Sequence, residues 1–168
     1  MVRVYFSLGS NEGDRLANIN RALEELKTAL NAPEPLISSI IETKAWGFDG
    51  PDFLNCAAAF DWDPDRDYDA TDALSGNSAP ERLLDICKAI ERKLGRTGGP
   101  KRYKAGRRIY SSRPIDIDIL FYGLEKIDTL RLTIPHPLIS KRDFVKIPLN
   151  EIADAKNRSA FPDKFETI

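Results

Sequence analysis

Three observations predict an α+β fold for this 168-residue chain. Apolar residues alternate at period two in four segments, and they recur at spacings of three and four in two others. The segments follow one another as β-α-β-β-α-β. That order fits a ferredoxin-like sandwich, a largely antiparallel sheet with helices on one face, and it leaves function to the other face and to long active-site loops.

Each element has its own local reason. Residues 2–8 read as a first strand that stops at Gly9-Ser10-Asn11. Over residues 14–30 the apolar positions Leu16, Ile19, Leu23, Leu26 and Leu30 define an amphipathic helix, ended by Pro33 and Pro35. Residues 36–43, rich in Ile and Ser, read as a second strand. A loop through Trp46-Gly47-Phe48-Asp49-Gly50-Pro51 leads to a third strand over 53–62. There Phe53, Asn55, Ala57 and Ala59 share one face, and Leu54, Cys56, Ala58 and Phe60 the other. Residues 63–77, acidic and poor in large hydrophobes, read as a loop insertion. Ser78-Ala79-Pro80-Glu81 is a capping-box pattern with proline in the first turn, so a second helix starts here. Its stripe is Leu83, Cys87, Ile90 and Leu94, and Gly95 is the stop. Residues 95–112 carry four glycines and no apolar period, which predicts a flexible basic loop suited to gating. In the fourth strand Asp116 and Asp118 point one way, and Ile115, Ile117, Ile119 and Phe121 the other. Short strand-like pieces follow near 126–127 and 131–134. Pro135-His136-Pro137 breaks regularity, and 138–153 reads as short helical turns and loop. No repeat and no linker interrupts the pattern, so a single domain spanning 1–168 is expected.

With 42% hydrophobic and 30% charged residues, the composition is that of an ordinary soluble globular protein. A net charge of −1 gives no global field favouring nucleic acid or membrane. The signs are segregated, however: residues 61–72 hold six aspartates and one arginine, whereas 95–113 hold seven Lys or Arg and no acid. Cys56 and Cys87 lack metal or redox spacing and read as buried hydrophobes in a reducing compartment. The first strand is too short for a signal segment, and no apolar run is long enough to cross a bilayer. The expected protein is cytoplasmic and monomeric.

The most chemical feature is Arg113-Pro114-Ile115-Asp116-Ile117-Asp118. Two carboxylates on one strand face repel unless a cation or proton lies between them, and Mg²⁺ takes such oxygens while keeping positions for phosphate. The neighbouring cations point to a polyphosphate. A half-exposed strand with solvated aspartates is the plain alternative.

Five motifs in order carry a resemblance: Ser7-Leu8-Gly9-Ser10-Asn11 with Gly13-Asp14-Arg15; Phe53-Leu54-Asn55; Ile90-Glu91-Arg92-Lys93-Leu94-Gly95-Arg96; the segment 113–120; and Pro135-His136-Pro137 with Arg142-Asp143-Phe144-Val145 and Pro148-Leu149. From about residue 4 to 153 the chain resembles the 6-hydroxymethyl-7,8-dihydropterin pyrophosphokinase family of folate biosynthesis. The resemblance implies transfer of the β,γ-pyrophosphoryl unit of ATP to the pterin hydroxymethyl oxygen, releasing AMP. It also implies that Asp116 and Asp118 hold two Mg²⁺ ions, which clamp entering and leaving oxygens. Arg96 and Arg113 match arginines that grip the transferring phosphates. Glu91, Tyr110, His136 and Arg142 fall at the nucleotide site, with Tyr110 standing where tryptophan is usual. Thr43, Trp46, Gly47, Phe53, Asn55 and Phe144 match the pterin pocket. Phe53 and Phe144 are suited to sandwich a flat bicycle, and Asn55 offers both donor and acceptor to its edge. No side chain is needed as general base, since a divalent cation lowers the pKa of a hydroxyl it binds. Lys101, Arg102, Lys104, Arg107 and Arg108 cannot be aligned one by one, and at least one of them is expected to close over ATP. The acidic insertion, the long basic loop and Ser111-Ser112 before Arg113 depart from the family pattern.

Two rival readings are a Mg-dependent nucleotidyltransferase and a ferredoxin-like RNA-binding module. The first needs its Gly-Ser turn close before the aspartates, whereas Gly9-Ser10 lies far from Asp116. The second needs a basic, aromatic sheet face, which aspartates oppose.

Overall fold

The computed structural model describes residues 1–66, 76–96, 103–108 and 110–165. Its centre is strand β1 (Val2–Ser10), which pairs antiparallel with β4 (Phe53–Trp62) on one side and β7 (Asp116–Tyr122) on the other. Two short strands, β2 (Leu36–Ile37) and β3 (Ile41–Thr43), pair with the outer side of β4. The first strand in the chain is therefore central and the second lies at the edge, in an antiparallel α+β arrangement. Helices α1 (Arg15–Ala29) and α2 (Ala79–Lys93) cover the first face, where Val4, Phe6, Leu8, Cys56, Ala58 and Phe60 meet Ile19, Leu26, Leu83 and Cys87. The Asp14 carboxylate caps α1 by accepting from the Ala17 N–H at 3.1 Å. Glu81 reaches back to the Ser78 N–H at the start of α2.

The predicted ranges of β4 and α2 agree closely with those observed. Four local expectations need correction. The segment 36–43 is two strands, because the Ser38 hydroxyl takes the Ala57 N–H at 2.8 Å and bends the chain out of the ladder. The basic segment is not wholly irregular: β5 (Tyr103–Lys104) and β6 (Arg107–Arg108) form a hairpin. Its turn places both Ala105 and Gly106 at positive φ, 53° and 74°. Residues beyond the β8 (Ile127–Asp128) and β9 (Thr133–Ile134) hairpin are more ordered than expected. A 3-10 turn at Ile139–Lys141 leads into α3 (Asp143–Ile152), with Pro148 inside it, and then α4 (Ala155–Ala160).

The fourth correction concerns β7. Tyr5 faces Phe121 whereas Phe6 faces Ile119, so Leu120 is an extra residue and the alternation slips. Ile115, Ile117 and Ile119 point to the first core as predicted. Phe121 instead joins Leu120, Tyr5, Val145 and Leu149 on the second face, and Tyr122 turns to the first. The second face is consequently divided. Ala57 and Ala59 let α3 lie close over one half, while the ends of β1, β4 and β7 nearest Gly9, Asn55 and Asp116 stay open. The acidic stretch 67–75 lies outside the described residues.

Candidate active site

Strand register builds the site. Gly9 of β1 lies between Asn55 of β4 and Asp116 of β7, and one step along the strands Ser7 lies between Ala57 and Asp118. The side chains of Asn55, Asp116, Ser7 and Asp118 line the open half of the second face, and Ala57 marks where helix α3 begins to cover it. Glycine at the centre leaves a gap: a Cβ on Gly9 would stand 2.9 Å from Asn55 Oδ1 and 3.4 Å from Phe53 Cδ1. The gap forms the floor of a cavity of about 110 Å³, walled by loop 43–53 on one side and by His136, Leu138, Arg142 and Phe144 on the other.

The acidic side is strongly polarised. Asp116 Oδ1 accepts from Arg96 Nη1 at 2.9 Å and lies 3.2 Å from Arg113 Nη1. Burial alone would raise the Asp116 pKa, but the charges of Arg113 and Arg96 outweigh it and hold this carboxyl below its ordinary value. Among the described residues Asp118 has no such cradle. Burial, reinforced by the charge of Asp116, pushes Asp118 up to about 7, while Arg142 pulls the other way. One carboxylate is thus ionised and guanidinium-bound, and its neighbour is held near neutrality.

Glu91, only 7% exposed, stands behind this pair. Its Oε2 accepts the Ile117 N–H at 3.0 Å, between the two aspartates, and also pairs with Arg96. Burial and the nearby Asp116 charge raise its pKa, with Arg96 and the Ile117 N–H opposing. Glu91 therefore braces Arg96 and β7 from below and does not line the cavity.

The opposite wall is aromatic. Phe48 meets Phe53 edge-on with centroids 6.3 Å apart, and Trp46 meets Tyr110 at 5.4 Å. Gly47, at φ +81°, has the Tyr110 ring 3.0 Å from where a Cβ would stand, which explains a glycine here. Asn55 Nδ2 donates to Thr43 Oγ1 at 2.8 Å, fixing the amide so that its Oδ1 faces the gap over Gly9. The Arg142 guanidinium lies over Trp46 at 4.4 Å and near Phe144 at 5.6 Å. Its Nε is buried with no hydrogen-bond partner among the described residues. A desolvated donor beside Asp118 is well placed to take an anion. His136 is held at both ends: its N–H donates to the Leu120 carbonyl at 3.0 Å, and its Nδ1 accepts the Leu138 N–H at 3.1 Å, which puts the proton of a neutral ring on Nε2. The bulge in β7 thereby supplies the carbonyl that anchors His136.

Eleven of the residues singled out by sequence line this one cavity: Thr43, Trp46, Phe53, Asn55, Tyr110, Arg113, Asp116, Asp118, His136, Arg142 and Phe144. Gly47, Glu91 and Arg96 support it from outside. Sequence reading missed Ser7, Gly9, Lys44, Phe48 and Leu138 as lining. Ser7 and Gly9 were findable, because they belong to the Ser7-Leu8-Gly9-Ser10-Asn11 motif and alternate with Leu8. Lys101 and Arg102 lie outside the described residues. Among the described residues no group of three or more His, Cys, Asp or Glu side chains is arranged to hold a metal.

A carboxylate pair, converging guanidinium groups and an aromatic slot on one sheet face define the site of an enzyme that transfers phosphoryl groups. Comparison with known proteins gives the particular family. The profile of 7,8-dihydro-6-hydroxymethylpterin-pyrophosphokinase matches residues 5–154. A 2-amino-4-hydroxy-6-hydroxymethyldihydropteridine pyrophosphokinase of Porphyromonas gingivalis is 41% identical over 155 residues, 91% of this chain and 92% of that protein. The Aquifex aeolicus protein of the same name is 40% identical over 90% of this chain and 81% of its own length. A mitochondrial folate synthesis bifunctional protein of Pisum sativum is 37% identical over 89% of this chain and 25% of its own. The chain belongs to the 7,8-dihydro-6-hydroxymethylpterin-pyrophosphokinase family.

Proposed function

We propose that this protein transfers the β,γ-pyrophosphoryl unit of ATP to 6-hydroxymethyl-7,8-dihydropterin, a step of folate biosynthesis. The hydroxymethyl oxygen attacks the β-phosphorus and loses its proton, the bond from that phosphorus to the α,β-bridging oxygen breaks, and AMP leaves. The observation that carries this reading is the row Asn55–Gly9–Asp116, which sets a heterocycle-reading amide and a cation-binding carboxylate on neighbouring strands across an empty glycine.

Phe53 and Phe144 bound the slot for the pterin rings, with Asn55 and Thr43 at its polar edge. Trp46 and Gly47 shape the loop that closes it. Arg96, Arg113 and Arg142, with His136, receive the triphosphate. Tyr110 stands between the two substrates, and Glu91 holds Arg96 in place. The donor chemistry fits Mg²⁺: two carboxylates of one strand face are hard oxygen ligands, and a pair leaves most of an octahedral shell to phosphate oxygens and water. When bound, two such ions would supply charge neutralisation across the β- and γ-phosphates. Arg96 and Arg113 both rest on Asp116. A cation held at Asp116 would compete with these guanidinium groups, which are the ones suited to phosphate oxygens.

The reading takes the enzyme to be a cytoplasmic monomer, in keeping with two buried free thiols, Cys56 and Cys87. No helix among the described residues is long and apolar enough to cross a membrane. The test is incubation with ATP, Mg²⁺ and 6-hydroxymethyl-7,8-dihydropterin. AMP formed in step with a pterin pyrophosphate ester supports the reading, whereas ADP, or no turnover, overturns it.

A further inference from the structure

We infer that Asn11 is a positioning residue, an amide that holds Arg113 and the heterocycle-binding loop in register. It sits just beyond β1 and is 3% exposed. Every polar group it owns toward the site is used. Its backbone N–H donates to the Arg113 carbonyl at 3.2 Å, and its Oδ1 accepts the Arg113 N–H at 2.8 Å. Its Nδ2 donates to the Pro51 carbonyl at 3.1 Å and to Ser112 Oγ at 3.2 Å. One amide thus joins three segments far apart in sequence.

The geometry gives this clamp a chemical consequence. Arg113 is gripped through both its N–H and its carbonyl, three residues before Asp116, and its guanidinium reaches Asp116 Oδ1. Pro51 lies two residues before Phe53 and closes the loop holding Trp46 and Gly47. One Nδ2 bond reaches the loop through Pro51, while the other, to Ser112, and the bond accepted by Oδ1 hold the segment of Arg113. The donor half of the amide is therefore the one that reaches the heterocycle-binding loop, whereas the acceptor half serves Arg113. Neither half can be replaced by a hydroxyl or an alkyl group.

This inference rests on the proposed pyrophosphoryl transfer, and its test separates the two. AMP release from ATP and 6-hydroxymethyl-7,8-dihydropterin is followed for N11A, N11D, R113A and the double variant N11A/R113A. The affinity of each for a nonhydrolysable ATP analogue with Mg²⁺ is measured alongside. N11A is expected to lower kcat by roughly 10- to 100-fold, the range seen when an orienting partner of a functional group is lost. In the R113A background the same substitution should cost less than threefold in kcat, because Asn11 acts on turnover through Arg113. N11D keeps the acceptor and loses the donors, so it should raise the pterin KM more than it lowers kcat. If N11A does not fold, N11D alone decides through that split. Equal costs of N11A in both backgrounds, or an N11D variant with unchanged pterin KM, would overturn the inference. A wild-type protein that releases no AMP strikes the proposed function, and the analogue affinities of N11A and R113A then still report whether the two residues act as a unit.

Discussion

The glycine in the middle strand offers the sharpest test of where the heterocycle lies. In a Gly9→Ala variant the new methyl carbon would stand 2.9 Å from Asn55 Oδ1, so the amide must retreat by about half an ångström to reach ordinary contact. Asn55 has little room to do so: it is 2% exposed and tethered to Thr43 Oγ1 at 2.8 Å. The retreat breaks that tether or misaligns the amide with the ligand edge. Loss of two ordinary hydrogen bonds, about 1 kcal/mol each, is about 2 kcal/mol, or roughly a 30-fold weaker pterin. Global stability should change little, because alanine in a strand gains roughly 0.5–1 kcal/mol over glycine and so offsets part of the overlap. Nucleotide affinity should stay within about twofold, since Asp116 and the arginines lie on the other side of the strand. Pterin fluorescence titration, with and without a nonhydrolysable ATP analogue and Mg²⁺, reads both quantities. A folded Gly9→Ala protein that binds pterin like the wild type would place the heterocycle away from Asn55.

Other outcomes follow from the same geometry. Asp116→Ala and Asp118→Ala should remain folded by circular dichroism yet lose turnover by orders of magnitude, and an active variant would remove that residue from the metal site. Asp118 titrates near 7 when folded and near 3.8 when free, so the folded state holds more protons between those values and stability falls as pH rises through that window. Thermal melts from pH 4 to 8 without metal should show this fall in the wild type and a shallower one in Asp118→Asn; parallel curves would contradict the assignment. Asn55→Ala should weaken pterin binding while leaving MgATP affinity nearly intact, and equal loss of both ligands would move Asn55 out of the pterin slot. Glu91→Ala leaves the Ile117 N–H buried without its acceptor, at a cost of about 1–3 kcal/mol in urea unfolding, together with a lower kcat as Arg96 loses its brace. An unchanged unfolding midpoint would contradict that role.

Much of this architecture was legible because local and global preferences agree. The alternation of β4 and the capped, striped helix α2 are written in sequence patterns of the right period. The aspartate pair was legible for the same reason, since period two alone puts Asp116 and Asp118 on one face. What escaped detection is set by partners distant in sequence. The slip at Leu120 has no local signal, because it is settled by the pairing of β7 with β1 and by the His136 N–H that takes the Leu120 carbonyl. Helix α3 was obscured by Pro148, which removes one helical donor. Val145, Leu149 and Ile152 still recur on one side, and their burial against the sheet outweighs the loss. Glu91 shows the converse. A charged residue in a last helical turn usually faces water, and only the approach of β7 makes it a buried acceptor.

The interruption between β2 and β3 has a consequence for colloidal behaviour. Leu36, Ile37 and Ile40 are 50%, 42% and 37% exposed along the outermost strands, an apolar margin of the kind that recruits foreign chains into ladders. The kink defuses it: the Ser39 N–H and hydroxyl both turn inward to the Glu151 carboxylate, at 2.8 and 3.0 Å, and are spent within the molecule. What remains on that border is two brief stretches of unclaimed main chain set at an offset. Two and three residues long, these strands offer a foreign chain only a short ladder to extend.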